Sequence, residues 1–175
     1  MNRLFTITAA TVLMTASVSV AHAAPDAGGQ VSAKDAKTVE STFKQMDSQA
    51  AAISNNAFIM NHAIARTDDY QFQVYHLADL KDQVNRVGKE LAAIEAERQS
   101  LPQWQRDAVD QITPVMHDIA SEANEAIKTY NVDQDRLFAS NYGDDTKEIS
   151  VNAQKVSQRL HDDVKLAGNK GAVAP

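Results

Sequence analysis

Histidine is the residue type in this chain with the widest chemical repertoire, because an imidazole can bind a metal or carry a proton. The histidines are His22, His62, His76, His117 and His161. A helical di-iron site needs a glutamate three residues before a histidine, with further glutamates facing inward. No histidine here has a glutamate at that spacing or a second histidine one helical turn away. The sequence therefore predicts no metal-binding residues.

Haem is the one cofactor whose ligands the sequence offers. Covalent attachment needs a Cys-x-x-Cys-His run, and the chain contains no cysteine. A non-covalent haem between Met60 and His76 is an alternative, because both residues fall at the same end of the first predicted helical hairpin. A methionine on a buried helix face usually fills space. We therefore expect no cofactor and keep haem binding as the alternative.

Serines and carboxylates are numerous, but their spacing does not indicate an enzyme. Ser41, Ser48 and Ser54 lie along a predicted helix without an adjacent histidine or lysine, and no glycine-rich turn presents a nucleophile. The 23 acidic residues are dispersed along the chain, as solubilising groups are. We therefore expect a protein that is not an enzyme and has no catalytic residues.

The aromatic residues are unevenly distributed. Seven of the nine that follow residue 23 fall in two segments predicted to meet at one end of a helical bundle, here termed the aromatic end: Phe58, Tyr70, Phe72, Tyr75, Tyr130, Phe138 and Tyr142. Tyrosine combines a ring with a hydroxyl group and is enriched where proteins meet ligands or partners. These seven are the candidate binding residues. The alternative is that they only close the end of the hydrophobic core.

Aspartates accompany the aromatic residues in the two connections at this end. They are Asp68, Asp69, Asp133, Asp135, Asp144 and Asp145. Their spacing lacks the pattern of a calcium-binding loop, whereas aspartate is common in turns and at helix starts. We therefore interpret them as turn and cap residues.

Four amphipathic helices are predicted to position these side chains. Apolar residues recur at alternating steps of four and three from Val39 to Ile64, the spacing of one buried helix face. Comparable faces run from Tyr70 to Leu101, from Trp104 to Tyr130 and from Ile149 to Ala167. Short connections favour antiparallel neighbours. We predict an all-α fold, an antiparallel up-down-up-down four-helix bundle of long helices.

Boundary residues refine these helices. Ser32 is the predicted N-cap of the first helix. Ser100 and Pro102 predict a capping box at the start of the third helix, with Gln103 as its partner residue. Pro114 predicts a kink within that helix rather than a break.

The connection between the third and fourth helices is ambiguous in the sequence. Residues 133–140 have a helix-like pattern. Residues 141–145 are rich in Asn, Gly and Asp, which predicts a turn that precedes the fourth helix.

The first 23 residues have the composition of a cleavable signal peptide. A basic start with Arg3 precedes an uncharged apolar run over 4–20, and Ala21 and Ala23 supply the small residues of a cleavage site. We expect a signal peptide over 1–23, a disordered leader over 24–31, the helical bundle over 32–167 and a disordered tail over 168–175. The expected location is the bacterial periplasm or the secreted fraction.

The net charge of the chain limits the classes of partner that it is expected to bind. The chain carries a formal charge of −6, which becomes −7 when Arg3 is removed with the signal peptide. An acidic protein with scattered basic residues is a poor ligand for nucleic acids or anionic lipids. We expect no nucleic acid and no stable membrane insertion after cleavage.

The predicted role is that of a structural or protein-interaction protein of the cell envelope, through self-association or another envelope protein. The alternative is a carrier of a small molecule or of non-covalent haem at the aromatic end.

Overall fold

The computed structural model describes residues 33–64 and 70–171, with side chains over 37–64 and 70–166. The predicted signal peptide, the leader, the Ser32 cap and residues 172–175 lie outside the described residues. Within the described part the chain is all-α and has no strand. Its elements, in chain order, are α1 (Ala33–Ala63), α2 (Tyr70–Ala96), the 3₁₀ helix η1 (Arg98–Ser100), α3 (Gln103–Asp133), the 3₁₀ helix η2 (Gln134–Ala139) and α4 (Tyr142–Gly171).

The apolar face predicted for α1 is buried, which confirms that interpretation. Its seven buried members are at most 6% exposed: Val39, Phe43, Met46, Ala50, Ile53, Ala57 and Met60. The apolar faces of the other three helices pack against it to form one hydrophobic core. None of the helices in the described ranges combines the length and the apolar character that crossing a membrane requires.

The closest helix pairing joins α1 to α4. The Ser54 hydroxyl donates to the Ser150 carbonyl at 2.9 Å, and the Ser150 hydroxyl donates to the Ser54 carbonyl at 3.0 Å. Two such reciprocal bonds require the helix backbones to approach closely, which only small side chains between them allow. Asn61 adds a bond from its amide nitrogen to the carbonyl of Gly143.

The contacts between α1 and α4 occur in reverse order along the two helices. Asp47, in the middle of α1, accepts a hydrogen bond from Ser157, whereas Asn61, near the end of α1, contacts Gly143. Helix α4 also packs closely on α3, and α2 packs on α1 and α3 with fewer close backbone approaches. Every helix therefore has two neighbours in the core.

Helix α2 ends earlier than the sequence predicted. It stops at Ala96, and η1 replaces the expected continuation to Leu101. Leu101, the last residue of the predicted apolar face, is buried, whereas Arg98, which has the spacing of that face, is partly exposed. Its guanidinium group spans to α3 and donates from Nη2 to Oδ2 of Asp110 at 2.7 Å, with a second bond from Nη1 to Oδ1. This hydrogen bonding lowers the pKa of the Asp110 carboxyl.

The capping box predicted at the start of α3 is wrong. The Ser100 hydroxyl donates to the carbonyl of Glu97 at 2.7 Å instead of accepting from α3. Pro102 takes the cap position without a side-chain bond, and its carbonyl accepts from the amide of Gln105 at 3.0 Å. Helix α3 then continues without a break through Pro114, which lies on its exposed face.

The turn predicted over residues 141–145 is also wrong, because α4 begins at Tyr142. The Ser140 hydroxyl accepts a bond from the Tyr142 amide at 3.3 Å and so satisfies one of the free amides at the helix start. Asp144 and Asp145 fall in the first turn, where the helix dipole favours negative charge. At its other end α4 remains helical to Gly171, four residues beyond the predicted bundle.

Enlarging a side chain between α1 and α4 should destabilise the protein. Ser54→Leu removes a hydrogen bond and forces the two backbones apart, so we expect its free energy of unfolding to fall by about 1–3 kcal/mol in urea denaturation. Ser54→Ala fits the space and should cost about 1 kcal/mol through the lost bond. Ser48→Leu is the matched control, because Ser48 is exposed and bonds only within α1. An equal loss of stability in this control would contradict the close-packing explanation.

Candidate functional site

Two of the seven candidate binding residues, Tyr130 and Tyr142, belong to the core. The Tyr142 hydroxyl donates to Oε1 of Gln73 at 2.7 Å, and the Gln73 amide nitrogen donates to the carbonyl of Met60 at 3.3 Å. The Tyr130 hydroxyl donates to the carbonyl of Tyr70 at 3.0 Å. Both rings are at most 1% exposed. These bonds connect α3 and α4 to α2 and, through Gln73, to α1.

Burial also determines the protonation of these two tyrosines. It raises the pKa of the Tyr142 phenol far above its ordinary value, and it raises the pKa of Tyr130 in the same direction. Both hydroxyl groups therefore stay protonated at physiological pH and act as donors. Their hydrogen bonds are directed to protein acceptors, so their polar groups are used within the fold.

The other five candidate residues lie wholly or partly at the surface. Phe138 is 73% exposed, Tyr75 69%, Phe58 51% and Tyr70 37%, while Phe72 is half-buried. They come from α1, α2 and η2. The seven candidates thus divide into a buried pair and an exposed set on different elements.

An exposed valine that sequence reasoning missed belongs to the same surface. Val132, in the last turn of α3, is 75% exposed. With it, five of the seven exposed large hydrophobic side chains in the described part of the chain lie at the aromatic end, the exceptions being Val151 and Leu166. The signal was available, because Val132 follows Tyr130 by two residues and so points away from the core face.

A polar network fixes the orientation of His76 at the seam between α1 and α2. Asn56, 5% exposed, donates from its amide nitrogen to the His76 carbonyl at 3.1 Å and to Oδ2 of Asp79 at 3.1 Å. Its Oδ1 must then accept from Nδ1 of His76, since the reversed amide would face two acceptors. The imidazole packs on Phe72 at a centroid distance of 4.2 Å and against the edge of Tyr75 at 5.4 Å.

Met60 and His76, the ligand pair considered for haem, occupy different environments. Met60 is completely buried in the core, whereas His76 is half-buried and has its Nδ1 engaged with Asn56. Within the described residues there is also no group of three or more His, Cys, Asp or Glu side chains arranged to hold a metal ion.

A shallow cleft of about 370 Å³ lies between α1 and α4, away from the aromatic end. Its lining includes Asp47, Ser157 and His161. The Asp47 carboxylate accepts from the Ser157 hydroxyl and lies 3.5 Å from Nδ1 of His161. A catalytic triad needs the histidine between the serine and the aspartate. Here the aspartate occupies the middle, so the serine is not activated as a nucleophile.

The surface formed by α3 and α4 near the aromatic end is strained electrostatically. Partial burial, followed by repulsion from Glu148, raises the pKa of Glu122. Partial burial, followed by repulsion from Glu125, raises the pKa of Asp145. Both carboxylates are therefore less favourable as anions in the folded protein than in the unfolded chain.

Removing one hydroxyl should show the structural role of the buried pair. Tyr142→Phe leaves the buried Oε1 of Gln73 without its donor, so we expect the free energy of unfolding to fall by about 1–3 kcal/mol in urea. Tyr75→Phe removes the same atom from an exposed ring and should change stability by no more than about 0.5 kcal/mol. Equal effects of the two substitutions would contradict the assigned hydrogen bond.

Neutralising Glu122 should stabilise the protein in a pH-dependent way. A raised carboxyl pKa in the folded state contributes stability below the unfolded pKa, and this contribution is lost as pH rises through the folded pKa. Glu122→Gln should therefore raise the melting temperature at pH 7, and the gain should disappear near pH 4, where the native carboxyl is protonated. The exposed Glu97→Gln is the control, and a gain that persists at low pH would contradict the explanation.

Comparison with known proteins does not indicate a function for this chain. No protein-family model matches the sequence, and no curated protein or solved structure is similar to it.

Proposed function

We propose that this chain is an exported, non-catalytic interaction protein of the bacterial cell envelope, which docks another protein through the exposed side chains of its aromatic end. The observation that carries the proposal is that five of the seven exposed large apolar side chains in the described residues belong to the aromatic end: Phe58, Tyr70, Tyr75, Val132 and Phe138. Exposed apolar side chains that occur singly are ordinary, whereas their concentration in one region is typical of a contact surface.

The proposed scaffold is an antiparallel up-down-up-down four-helix bundle. The reverse order of contacts between α1 and α4 supports it, as does a similar order between α1 and α2, where Gln45 bonds Glu90 and Asn56 bonds His76. In this arrangement the α1–α2 turn and the η2 segment lie at the same end. The hydrogen bonds from Tyr142 to Gln73 and from Tyr130 to Tyr70 support this placement, because they join the start of α2 to the start of α4 and to the end of α3.

The two buried tyrosines help to decide whether the exposed aromatic residues form a binding surface or only close the end of the hydrophobic core. Tyr130 and Tyr142 already fill the interior at this end and satisfy their own polar groups. Phe138 and Tyr75 contribute little to the core, because most of each side chain is in contact with solvent. Closing the end of the core therefore does not require these two side chains. A partner that covered them would gain binding free energy from the burial of their apolar surface.

The filled interior also favours docking over the alternative of a small-molecule or haem carrier. A carrier needs an enclosed site that removes most of a ligand from water. The cleft between Asp47 and His161 does not meet this requirement, because it is open to solvent and is lined by polar groups. A protein surface suits the exposed aromatic residues better than a small ligand does.

Replacing the exposed aromatic residues should abolish docking without unfolding the protein. We expect the combined variant Phe58→Ser, Tyr75→Ser and Phe138→Ser to keep its helical circular dichroism, because none of the three side chains is buried. A photo-reactive amino acid at position 75 or 138 should cross-link one defined polypeptide in the native host. In the combined variant, with the cross-linker at position 132, that product should be lost.

The matched control combines Val151→Ser and Leu166→Ser, which remove exposed apolar side chains elsewhere on the protein. It should cross-link as strongly as the unmodified chain. Unfolding of the aromatic variant would identify these side chains as core. A bound mass of a few hundred daltons in native mass spectrometry, lost in the same variant, would favour the carrier.

A further inference from the structure

The exposed apolar surface at the aromatic end adjoins the most acidic part of the chain. The 31 residues from Asp118 to Glu148 contain eight acidic and three basic residues, a formal charge of −5 in a chain whose total is −6. They form the second half of α3, η2 and the start of α4. Most of the net negative charge of the protein therefore falls in the sequence segment that also contains Val132 and Phe138.

The basic residues in this segment leave most of its charge uncompensated. Lys128 pairs with Glu125 at 3.1 Å, and Arg136 pairs with Asp133 at 3.8 Å, both at exposed positions. No ion pair within the described residues involves the other six acids, which are Asp118, Glu122, Asp135, Asp144, Asp145 and Glu148.

Phe138 is exposed to solvent, and the η2 segment that carries it is fixed by its neighbours. Its neighbour Leu137 is 7% exposed and anchors η2 in the core. The Ser140 hydroxyl donates to the Leu137 carbonyl at 2.8 Å and accepts from the amide of Tyr142, which joins η2 to the start of α4. The backbone that carries Phe138 therefore loses little further freedom on binding, which favours the use of this residue as an anchor.

We propose that the partner docks on this surface through a basic, amphipathic segment, whose apolar side chains cover Val132 and Phe138 while its lysine or arginine residues face the acids of α3, η2 and α4. This inference rests on the docking function proposed above and adds the chemistry of the partner. Charge complementarity of this kind sets the choice of partner and the rate of encounter.

The same charges argue against a second copy of this chain as the occupant. A symmetric dimer through this end would bring two identical surfaces together, each with a net negative charge. Juxtaposed like charges cost free energy that the burial of two small apolar patches would have to offset. A basic partner removes that cost and relieves the repulsion among Glu122, Asp145 and Glu148.

The test measures binding of two labelled synthetic peptides to the full mature protein by fluorescence anisotropy. One is a short amphipathic helix of leucine and lysine, and the other has glutamate in place of lysine. We expect the lysine peptide to bind, the glutamate peptide not to bind, and the affinity for the lysine peptide to fall as salt is raised. Equal binding of the two peptides would overturn the inference.

Two sets of variants separate the contributions of charge and apolar contact. Asp135→Asn, Asp144→Asn and Asp145→Asn together should weaken binding of the lysine peptide about tenfold. A control that removes three exposed acids elsewhere, with Asp82→Asn, Glu97→Gln and Asp162→Asn, should bind like the unmodified chain. Phe138→Ser should weaken binding in both low and high salt.

The outcomes distinguish this inference from the docking function on which it rests. If the polypeptide cross-linked at position 138 is captured equally by the Asp→Asn variant, the docking function stands and the basic partner is overturned. If both sets of three neutral substitutions weaken peptide binding equally, the attraction is that of the net charge and the assigned surface is overturned. Dimerisation of the protein that competes with the lysine peptide would identify a second copy as the occupant.

Discussion

The close approach of α1 and α4 is the constraint on which the rest of the structure depends. Ser54 and Ser150 are 96 residues apart in the chain, yet each hydroxyl is satisfied by the carbonyl of the other. Small side chains make this distance possible, and the two helix backbones hold it in place. Once α1 and α4 are paired, α3 packs on α4, and α2 completes the core with larger apolar side chains from Leu77 to Ile94.

The polar interior of the aromatic end follows from this pairing. Tyr142 starts α4 beside the last turns of α1, where its hydroxyl reaches Gln73 on α2, and Gln73 in turn donates to Met60 on α1. Three helices are thus joined through one glutamine. Because this network is fully buried, the end of the bundle is closed from within. The exposed rings outside it, such as those of Tyr75 and Phe138, are not needed to close this end, and the proposed docking surface rests on that difference.

Helical periodicity predicted most of the core but not its two connections. The alternating steps from Val39 to Met60 were sufficient, because burial of a helix face depends only on regular spacing. Arg98 has the spacing of the apolar face of α2, but its side chain bonds to Asp110 on α3. The sequence around Arg98 contains no pattern that indicates a partner on another helix. Tyr142 lies among residues that are common in turns, but it precedes Ile149 by seven residues and so continues the apolar face of α4. Counting that face backwards would have placed it in the core.

The pairing of α1 with α4 also bears on when the fold can form. A chain is synthesised from its amino end, so α1 emerges long before α4, and the seam between Ser54 and Ser150 has no partner until nearly all of the described residues have been made. Contacts of such large sequence separation slow folding, because the intervening chain must first be brought together. The helix that completes the core is the last of the described helices to be synthesised, so the core cannot close before α4 has been made.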